Sequence, residues 1–353
     1  MKELANEIVT IIVDEYGYDE LLRRLSNPFW FQALGCVLGY DWHSSGVTTV
    51  VTGVLKSAIK PEEHGFAVAG GKGKISLQTP IEIEKIGNTF DFSTKQIHSL
   101  KYASRMSAKV DNSAIQAGYP LYHHTFFVAE NGKWGVIQQG MNTEDKTARR
   151  YHWLSDHVKS FVNEPHDAVV GDVVKANVLN MTAKESEECR KTSTDLVKDG
   201  PEKVKRNFAS LRPKHQKTLR EWMRREIIEK DYAVHVLSMP RNINWDALKK
   251  AYEIQPRNYE ELLSIRGVGP ATVRGLALVS EIIYGATPSW KDPVRYSFCV
   301  GGKEGVPFPV DKSSYDEIIE TLRDAINKAR VGDRDRLNAL RRLSNFWQSQ
   351  ELC

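Results

Sequence analysis

The stretch Ile265–Val273 holds two glycines and a proline between two runs of helix-forming sequence, and no other feature restricts the fold of this chain as much. A cap at Asn258 predicts a first short helix through Leu263. Pro270 suits the first position of a second helix, which we expect to stop at Gly285. The glycines give the connecting turn the backbone freedom that it needs. The second helix should then begin with unpaired N–H groups and a positive dipole end, which together suit a phosphate.

Residues 258–285 resemble the helix-hairpin-helix superfamily, which includes repair glycosylases, nucleases, ligases and polymerases. The resemblance implies contact with DNA and no particular reaction. Because no side chain of such a turn reads a base, the contact would be with the DNA backbone and independent of sequence. An ordinary turn between two helices is the alternative interpretation. The residues expected to bind nucleic acid in this turn are Gly267, Val268, Gly269, Ala271 and Thr272.

Positive charge is concentrated in the second half of the chain. From residue 201 onward there are 27 Lys and Arg against 20 Asp and Glu, whereas the first 200 residues hold 22 against 25. Residues 201–230 alone carry ten basic and four acidic residues, directly before the turn region. Such a segment is typical of nucleic-acid binding, and the turn favours DNA over RNA as the partner. A solvated helix face is the alternative. The candidate phosphate contacts are Lys214, Lys217, Arg224 and Arg225.

Length and composition are those of an ordinary globular protein. A chain of 353 residues predicts about two domains, and 41% hydrophobic with 27% charged residues is the usual balance. The longest apolar run, Pro28–Tyr40, is too short to span a bilayer, and the N-terminus does not have the pattern of a signal peptide. The four cysteines are dispersed, as in a reducing compartment. We therefore expect a cytoplasmic protein with no membrane partner.

Helix and strand signals alternate in the first half, and helix signals dominate the second. This predicts an α+β fold, with a mixed α/β N-terminal domain built on a central β-hairpin and an all-α helix-hairpin-helix domain after it. We place the first domain at residues 1–165, a connector with one short helix at 166–200, and the helical nucleic-acid-binding domain at 201–353. The predicted early helices are Lys2–Tyr16, Tyr18–Leu25, Gly46–Ile59, one from Thr79, and one from Ser93 or Thr94 to about Gln116; the predicted late helices include Pro213–Lys230, Trp245–Tyr252, Ser314–Lys328 and Asp333–Gln348.

The central hairpin is predicted from Leu121–Ala129 and Trp134–Gly140, two runs that are apolar on both faces. Asn131-Gly132 between them is the signal of a two-residue type I′ turn. That turn would place His124 opposite Gln139. Because neighbouring residues of a strand point to opposite faces, only one of His123 and His124 can face a given side of the sheet.

A helix is predicted after the hairpin, from Asn142 or Thr143 to about Val162. On it, Arg149, His152 and Asp156 would share one face. A His-Asp pair at this spacing can fix the tautomer of the imidazole, or it can be a surface pair of little consequence. Arg149 is a candidate phosphate contact, and a solvated face is again the alternative.

Candidate catalytic residues are polar side chains within otherwise apolar elements. Histidines at a strand end, a lysine beside a carboxylate on the helix before the hairpin, and a polar loop ahead of another helix all meet this description. Each group also has a purely structural explanation. The histidines can simply be hydrogen-bonded at a strand end, the lysine and carboxylate can belong to a polar surface stripe, and the loop can cap the helix that follows it. The candidates are Asp41, His43, Lys109, Asp111, His123, His124 and His152.

Several catalytic signatures are missing. The sequence has no Gly-x-Ser-x-Gly, no His-Glu-x-x-His, no paired-cysteine metal set and no Rossmann fingerprint. The glycine-rich loop Gly70–Lys74 offers backbone N–H groups and lysines to a phosphate, but it is not a Walker A motif. The cofactor is therefore left open, and a divalent metal is the candidate.

The chain as a whole resembles an uncharacterised family, domain of unknown function 763, which is found mainly in archaea and thermophilic bacteria. The resemblance covers nearly the full length and implies little about activity. Members usually carry a further segment ahead of the first helix, so the resemblance implies that a piece of the first domain is absent from this chain or begins elsewhere. It rests on the stretches Ser26–Gly35, Asp41–Gly46, Val68–Lys74, Lys109–Asn112, Leu121–Phe127, Ala148–Leu154 and Leu179–Ala183.

These observations favour a DNA-binding enzyme that repairs or processes DNA, of nuclease type, acting on phosphodiester bonds. The C-terminal part would hold the DNA backbone, and the N-terminal part would carry the reaction. Two other classes stay open. A non-catalytic nucleic-acid-binding protein would leave the polar candidates scattered, and an enzyme acting on a nucleotide or another phosphorylated small molecule would use the Gly70–Lys74 loop as its cradle.

Overall fold

The computed structural model describes residues 1–40, 45–211, 239–298 and 312–351. The fold is α+β, as expected, with one large antiparallel sheet and many helices. The described helices are α1 (Lys2–Ser26), α2 (Pro28–Val37), α3 (Val47–Ala58), α4 (Pro61–His64), α5 (Thr79–Thr89), α6 (Thr94–Ser113), α7 (Glu187–Lys198), α8 (Pro201–Leu211), α9 (Trp245–Ile254), α10 (Tyr259–Ser264), α11 (Pro270–Tyr284), α12 (Lys312–Lys328) and α13 (Asp333–Glu351). The described strands are β1 (Phe66–Lys72), β2 (Ile115–Gln116), β3 (Leu121–Ala129), β4 (Trp134–Asn142), β5 (Thr147–Leu154), β6 (Ala168–Gly171) and β7 (Leu179–Asn180).

The main sheet has the strand order β1-β3-β4-β5-β6, and each neighbouring pair is antiparallel. The short strands β2 and β7 pair separately. The central strands β3, β4 and β5 are buried along most of their length, because helices cover both faces of the sheet. Polar residues in these strands must therefore find hydrogen-bond partners inside the protein.

Two hydrophobic clusters lie on the two faces of the sheet. One joins α1, α2 and α3 to α12 and α13 through side chains such as Phe127 and Ile137. The other joins α5 and α6 to α7 and to α8–α11 through side chains such as Phe126 and Val136. Elements from both halves of the chain thus contribute to each cluster. The division at residues 165 and 200 stays a prediction, although the predicted connector also supplies two strands, β6 and β7.

Several helices begin or are interrupted where local sequence signals stand. Gly17 interrupts α1 with φ +81°, and the side chain of Asn27 caps α2. Ser93 and Gln96 form a reciprocal capping box at the start of α6. The side chain of Asn258 accepts a hydrogen bond from the Glu261 N–H at the start of α10. These helices were predictable because each begins at a side chain that can satisfy free backbone N–H groups.

The helix predicted from Asn142 to Val162 is wrong, and the segment forms strand β5 instead. The Asn142 side chain accepts hydrogen bonds from the N–H groups of Glu144 and Asp145, so it holds a hairpin turn and caps no helix. The helix-like spacing of apolar residues misled the prediction because β5 is buried on both faces. Its polar residues sit in the interior, so the alternation that normally marks a strand is hidden.

The register of the predicted hairpin is also wrong by one residue. The turn has three residues, not two, since the Ala129 N–H donates to the Lys133 oxygen at 2.9 Å and Gly132 adopts φ +84°. His123 therefore lies opposite Gln139, and His124 lies opposite Gln138. This shift decides which glutamine shares a face with which histidine.

No helix in the described ranges is long and apolar enough to cross a membrane. The predicted helix Pro213–Lys230 lies outside the described residues, as does the loop Asp41–Ser44.

Candidate functional site

A cleft of about 430 Å³ opens at the end of the sheet where β3 begins, between that strand, α6 and the residues after β1. Gly70 makes this junction possible. It adopts φ +88°, and a Cβ at its position would lie 2.2 Å from the His124 backbone oxygen. The cleft is lined by Ser76, Leu77, Pro80, Ser104, Arg105, Ala108, Lys109, Asn112, Leu121, Tyr122, His123 and His124.

His124 anchors one wall of the cleft and is held by hydrogen bonds on both ring nitrogens. Its Nε2 lies 2.9 Å from the Ser104 hydroxyl of α6, and its Nδ1 lies 2.8 Å from Gln138 Oε1 of β4. Burial lowers the pKa of His124 below its ordinary value. The imidazole is therefore neutral at pH 7, so one nitrogen donates and the other accepts.

The chain of hydrogen bonds continues from Gln138 to a buried carboxylate. Gln138 Nε2 donates to Asp111 Oδ2, which also accepts from Trp153 Nε1 at 3.0 Å. The other oxygen, Oδ1, is hydrogen-bonded to Nε2 of His166. Asp111 is only 1% exposed, so these donors replace the water that the carboxylate loses on burial.

This network fixes the protonation pattern at His124. An indole nitrogen can only donate, so Asp111 Oδ2 acts as an acceptor, and the Gln138 atom beside it must be the N–H₂ group. Gln138 then presents its oxygen to His124, so Nδ1 carries the proton. The lone pair of Nε2 is left to accept the Ser104 hydroxyl proton.

His123 lines the same cleft from the opposite face of the sheet and is held differently. Its Nε2 lies 2.8 Å from the Thr125 hydroxyl and 3.0 Å from the Thr52 hydroxyl. Thr52 already donates to the Thr48 oxygen at 2.8 Å, so it accepts a proton from His123. Burial, reinforced by His124 and Lys72, lowers the pKa of His123 to about 4. His123 is thus a second neutral imidazole at the cleft.

The charge of the cleft is positive. None of the described residues that line it is acidic, while Arg105 and Lys109 are basic. Burial lowers the pKa of the Lys109 ammonium below its ordinary value. Such a cleft offers cations and neutral imidazoles to a ligand, which suits an anion such as a phosphate.

The turn between α10 and α11 has the predicted shape. Gly267 adopts φ +97°, and the helix α11 begins after Gly269 without any side-chain cap. Ala271 and Thr272 occupy the first turn of α11, where backbone N–H groups have no partner within the helix. Gly267, Gly269 and Ala271 are partly exposed, whereas Val268 and Thr272 are buried. The turn can therefore offer backbone donors to an anion.

Helix α6 connects the turn to the cleft. Lys109 lines the cleft, and its Nζ lies 3.4 Å from the backbone oxygen of Ile265. Just after α6, Gln116 Nε2 of β2 donates to the Pro270 oxygen at 2.8 Å. Helix α6 and the strand that follows it thus contact the turn, and α6 also forms one wall of the histidine cleft.

Two predicted site residues lie elsewhere. His152 is fully buried on the His123 face, where it contacts Arg150 and the Leu25 oxygen, and it does not line the cleft. The expected pairing of His152 with Asp156 is wrong, because Asp156 pairs with Lys133 at the surface. The expected phosphate contact at Arg149 is also wrong.

Arg149 is fully buried and forms an ion pair with Asp292 at 2.8 Å, so it has a structural partner and no access to DNA. The error has the same origin as that for His152, since both side chains would have been exposed on a helix but are enclosed on a central strand. Asp41 and His43 lie outside the described residues, and so do Lys214, Lys217, Arg224 and Arg225.

Four members of the network were not predicted: Ser104, Gln138, Trp153 and His166. Gln138 did carry a signal. A glutamine inside a strand that is apolar on both faces has to satisfy its amide in the core. Ser104 and His166 had no such signal, since their roles depend on distant partners, Asp111 and His124. Among the described residues no group of three or more His, Cys, Asp or Glu side chains could hold a metal ion.

Three buried neutral histidines predict a loss of stability at mildly acid pH. Burial lowers the pKa values of His123, His124 and His152 in the folded protein. Above pH 6.5 neither state binds the extra protons. As the pH falls below 6.5 the unfolded chain takes up protons that the folded chain does not. Each histidine should then reduce the free energy of unfolding by up to about 1.4 kcal/mol per pH unit.

Urea unfolding of the wild type and of two variants between pH 7 and pH 5 measures this loss. In His152→Gln the free energy of unfolding should depend less steeply on pH, by up to the contribution of one bound proton. His98→Gln, on the exposed surface of α6, is the control and should leave the slope unchanged. If the free energy of unfolding fell equally with pH in all three proteins, the buried neutral histidines would not be the cause of the loss of stability at acid pH.

Comparison with known proteins gives a family without a described activity. No curated protein and no solved structure matches this chain. The model of the family described as "Protein of unknown function (DUF763)" matches residues 1–310. The resemblance expected from the sequence is therefore confirmed, and this chain is a member of the DUF763 family.

Proposed function

We propose that this protein is a DNA-processing or repair hydrolase of nuclease type that cleaves phosphodiester bonds in the cleft beside His124. The observation that carries the proposal is the shared use of α6. This helix lines the cleft with Ser104, Arg105 and Lys109, and Lys109 also contacts the turn at the Ile265 oxygen. Gln116, in the strand β2 that follows the helix, contacts the turn at Pro270. Binding and reaction would then occur at a fixed distance from each other.

The turn supports the binding half of the proposal. Free N–H groups at the start of α11, together with the helix dipole, favour an anion. Since backbone groups carry the interaction, it would be independent of base sequence. The basic segment with Lys214, Lys217, Arg224 and Arg225 would add further phosphate contacts.

The distance between the cleft and the turn supports the binding of a single DNA strand to both. Ser104 and Lys109 are five residues apart on α6, which corresponds to about 7.5 Å along the helix axis. The Lys109 ammonium also contacts the turn, at the backbone oxygen of Ile265. Phosphates of one strand follow one another at roughly 3.4 Å along a duplex axis. A strand held at the turn would reach the cleft within a few phosphates.

The cleft supports the chemical half. A neutral His124 with a free lone pair on Nε2 can accept a proton from a nucleophile, as a general base does. Arg105 and Lys109 can stabilise the negative charge that develops on the phosphoryl oxygens. A divalent metal does not enter this proposal, because the described lining offers cations and imidazoles and no carboxylate. The dispersed cysteines favour the cytoplasm as the location, and among the described residues neither Cys36 nor Cys189 forms a disulfide.

Binding can be tested at Gly269, where an added Cβ would lie 4.0 Å from the Gly267 oxygen, an ordinary contact, and φ is −119°. Gly269→Asp should cap α11 with its own carboxylate, so the fold should be unharmed or slightly stabilised. The carboxylate would take the place proposed for a phosphate. DNA affinity at low salt should therefore fall about tenfold or more, equally for unrelated sequences. Fluorescence anisotropy with single- and double-stranded probes measures this.

The matched control is Gly332→Asp. Gly332 also precedes a helix, α13, and a Cβ there meets nothing within 4 Å. The variant adds the same charge at a helix start far along the chain from the turn. If Gly269→Asp bound DNA as tightly as Gly332→Asp and the wild type, the turn would not be a phosphate contact.

Catalysis can be tested by cleavage of labelled DNA and RNA in Mg²⁺, Mn²⁺ or EDTA. We expect the wild type to cleave DNA and His124→Ala to lose about 10²- to 10⁴-fold in rate, the usual contribution of a general base. His98→Ala, a histidine change on the exposed surface of α6, should cleave normally. Wild-type protein that cleaves neither DNA nor RNA would leave the non-catalytic binding protein as the better account. Full activity in His124→Ala would place the reaction elsewhere.

A further inference from the structure

Ser104 has the position of a nucleophile, although it lies in the middle of a helix. Its hydroxyl lies 2.9 Å from His124 Nε2, and the residue lines the cleft while being only 2% exposed. Hydroxyls in the middle of a helix commonly donate to the carbonyl one turn earlier. Thr52 on α3 does so, through the oxygen of Thr48. Ser104 has a histidine nitrogen as its acceptor instead.

The other hydroxyls near the cleft lack this arrangement. Thr52 donates to a backbone oxygen and can only accept from His123. Ser107, one turn after Ser104, donates to the Ser104 backbone oxygen at 3.1 Å. The Thr125 hydroxyl lies 2.8 Å from the same Nε2 of His123, and that nitrogen carries the proton donated to Thr52, so Thr125 meets no lone pair there. Among the described hydroxyls that contact His123 or His124, Ser104 is therefore the one whose proton is directed at an imidazole lone pair.

We propose that Ser104 is the nucleophile of the cleft and that cleavage passes through a phosphoseryl intermediate, an inference that rests on the proposed phosphodiester hydrolysis. Ser104 Oγ forms a bond to phosphorus as its proton moves to His124 Nε2. The bond from phosphorus to the leaving oxygen breaks, and His124 returns the proton to that oxygen. Water then attacks the phosphoserine and gives a proton to His124, which passes it to Ser104 Oγ as the bond from phosphorus to serine breaks.

Gln138 and Asp111 act as positioning residues in this scheme. Asp111 orients the amide of Gln138, and Gln138 places the proton on His124 Nδ1. Without that order, Nε2 could carry the proton, and Ser104 would lose its base. A serine, a histidine and a carboxylate are thus joined through an amide rather than directly, which keeps the logic of a nucleophile, a base and an orienting group.

Two probes test the nucleophile independently of each other. The first is a fluorophosphonate, which reacts with a base-activated serine and needs no DNA; peptide mass spectrometry identifies the labelled residue. The second is a labelled DNA oligonucleotide, quenched in acid during turnover and examined for a covalent protein–DNA adduct. We expect both to mark Ser104, and Ser104→Ala to abolish both and to lower cleavage by at least about 10²-fold.

Ser107→Ala is the matched control, because Ser107 lies one turn away on the same helix and its proton goes to a backbone oxygen. It should be labelled at Ser104 and cleave DNA like the wild type. DNA cleavage in Ser104→Ala at the wild-type rate would overturn the proposal, and so would a wild type that neither probe marks. Labelling of Ser104 without DNA cleavage would keep the nucleophile and reject DNA as the substrate, so the two failures are distinguishable.

The positioning role has its own readout. Gln138→Met keeps the length of the side chain but removes the amide. We expect fluorophosphonate labelling at pH 7 to slow at least tenfold, with unchanged circular dichroism. The hydrogen bond from His124 to Gln138 raises the pKa of His124, so its loss should move the acid limb of the labelling rate to lower pH. A slower rate with an unmoved acid limb would mean that Gln138 only supports the fold.

Discussion

The carboxylate of Asp111 is the constraint on which the organisation of the site depends. It is buried between α6 and the sheet, where it accepts hydrogen bonds from Gln138, Trp153 and His166. A buried carboxylate is costly unless donors surround it, so these side chains must keep their places once the core has formed. Through Gln138 that order reaches His124, and through His124 it reaches the cleft. Asp111, which has almost no contact with solvent, thus determines the protonation pattern of His124, which lines the cleft.

The two faces of the sheet contribute differently at the cleft. His124 is tied to the buried network of the α6 face, whereas His123 is tied to threonines of the α3 face. Both are neutral, and basic residues of α6 surround them, so the cleft combines acceptors for protons with cations for a phosphate. The start of α11, which has no side-chain cap, is the second phosphate contact in the proposal. This combination is the basis on which we propose phosphodiester chemistry.

Much of the framework could be predicted from the sequence, because local chemistry determines it. Ser93 and Asn258 mark helix starts, and the glycines and proline of the turn mark its shape. Strand β5 could not be predicted in the same way, since its arginines and histidine are enclosed by distant elements. The hairpin register depended on one additional turn residue, Glu130. That residue decided that Gln138, and not Gln139, lies beside His124, so the network was out of reach of sequence reasoning.

The tautomer of His124 is the most direct test of this account. Long-range ¹H–¹⁵N correlation spectra at pH 7 distinguish a protonated from an unprotonated ring nitrogen, and a His124→Gln spectrum assigns the signal. The account predicts a proton on Nδ1 and an unprotonated Nε2 in the wild type, with this preference lost in Gln138→Met. A proton on Nε2 of the wild type would mean that Ser104 has no base, and it would contradict the chain of hydrogen bonds from Asp111 to the cleft.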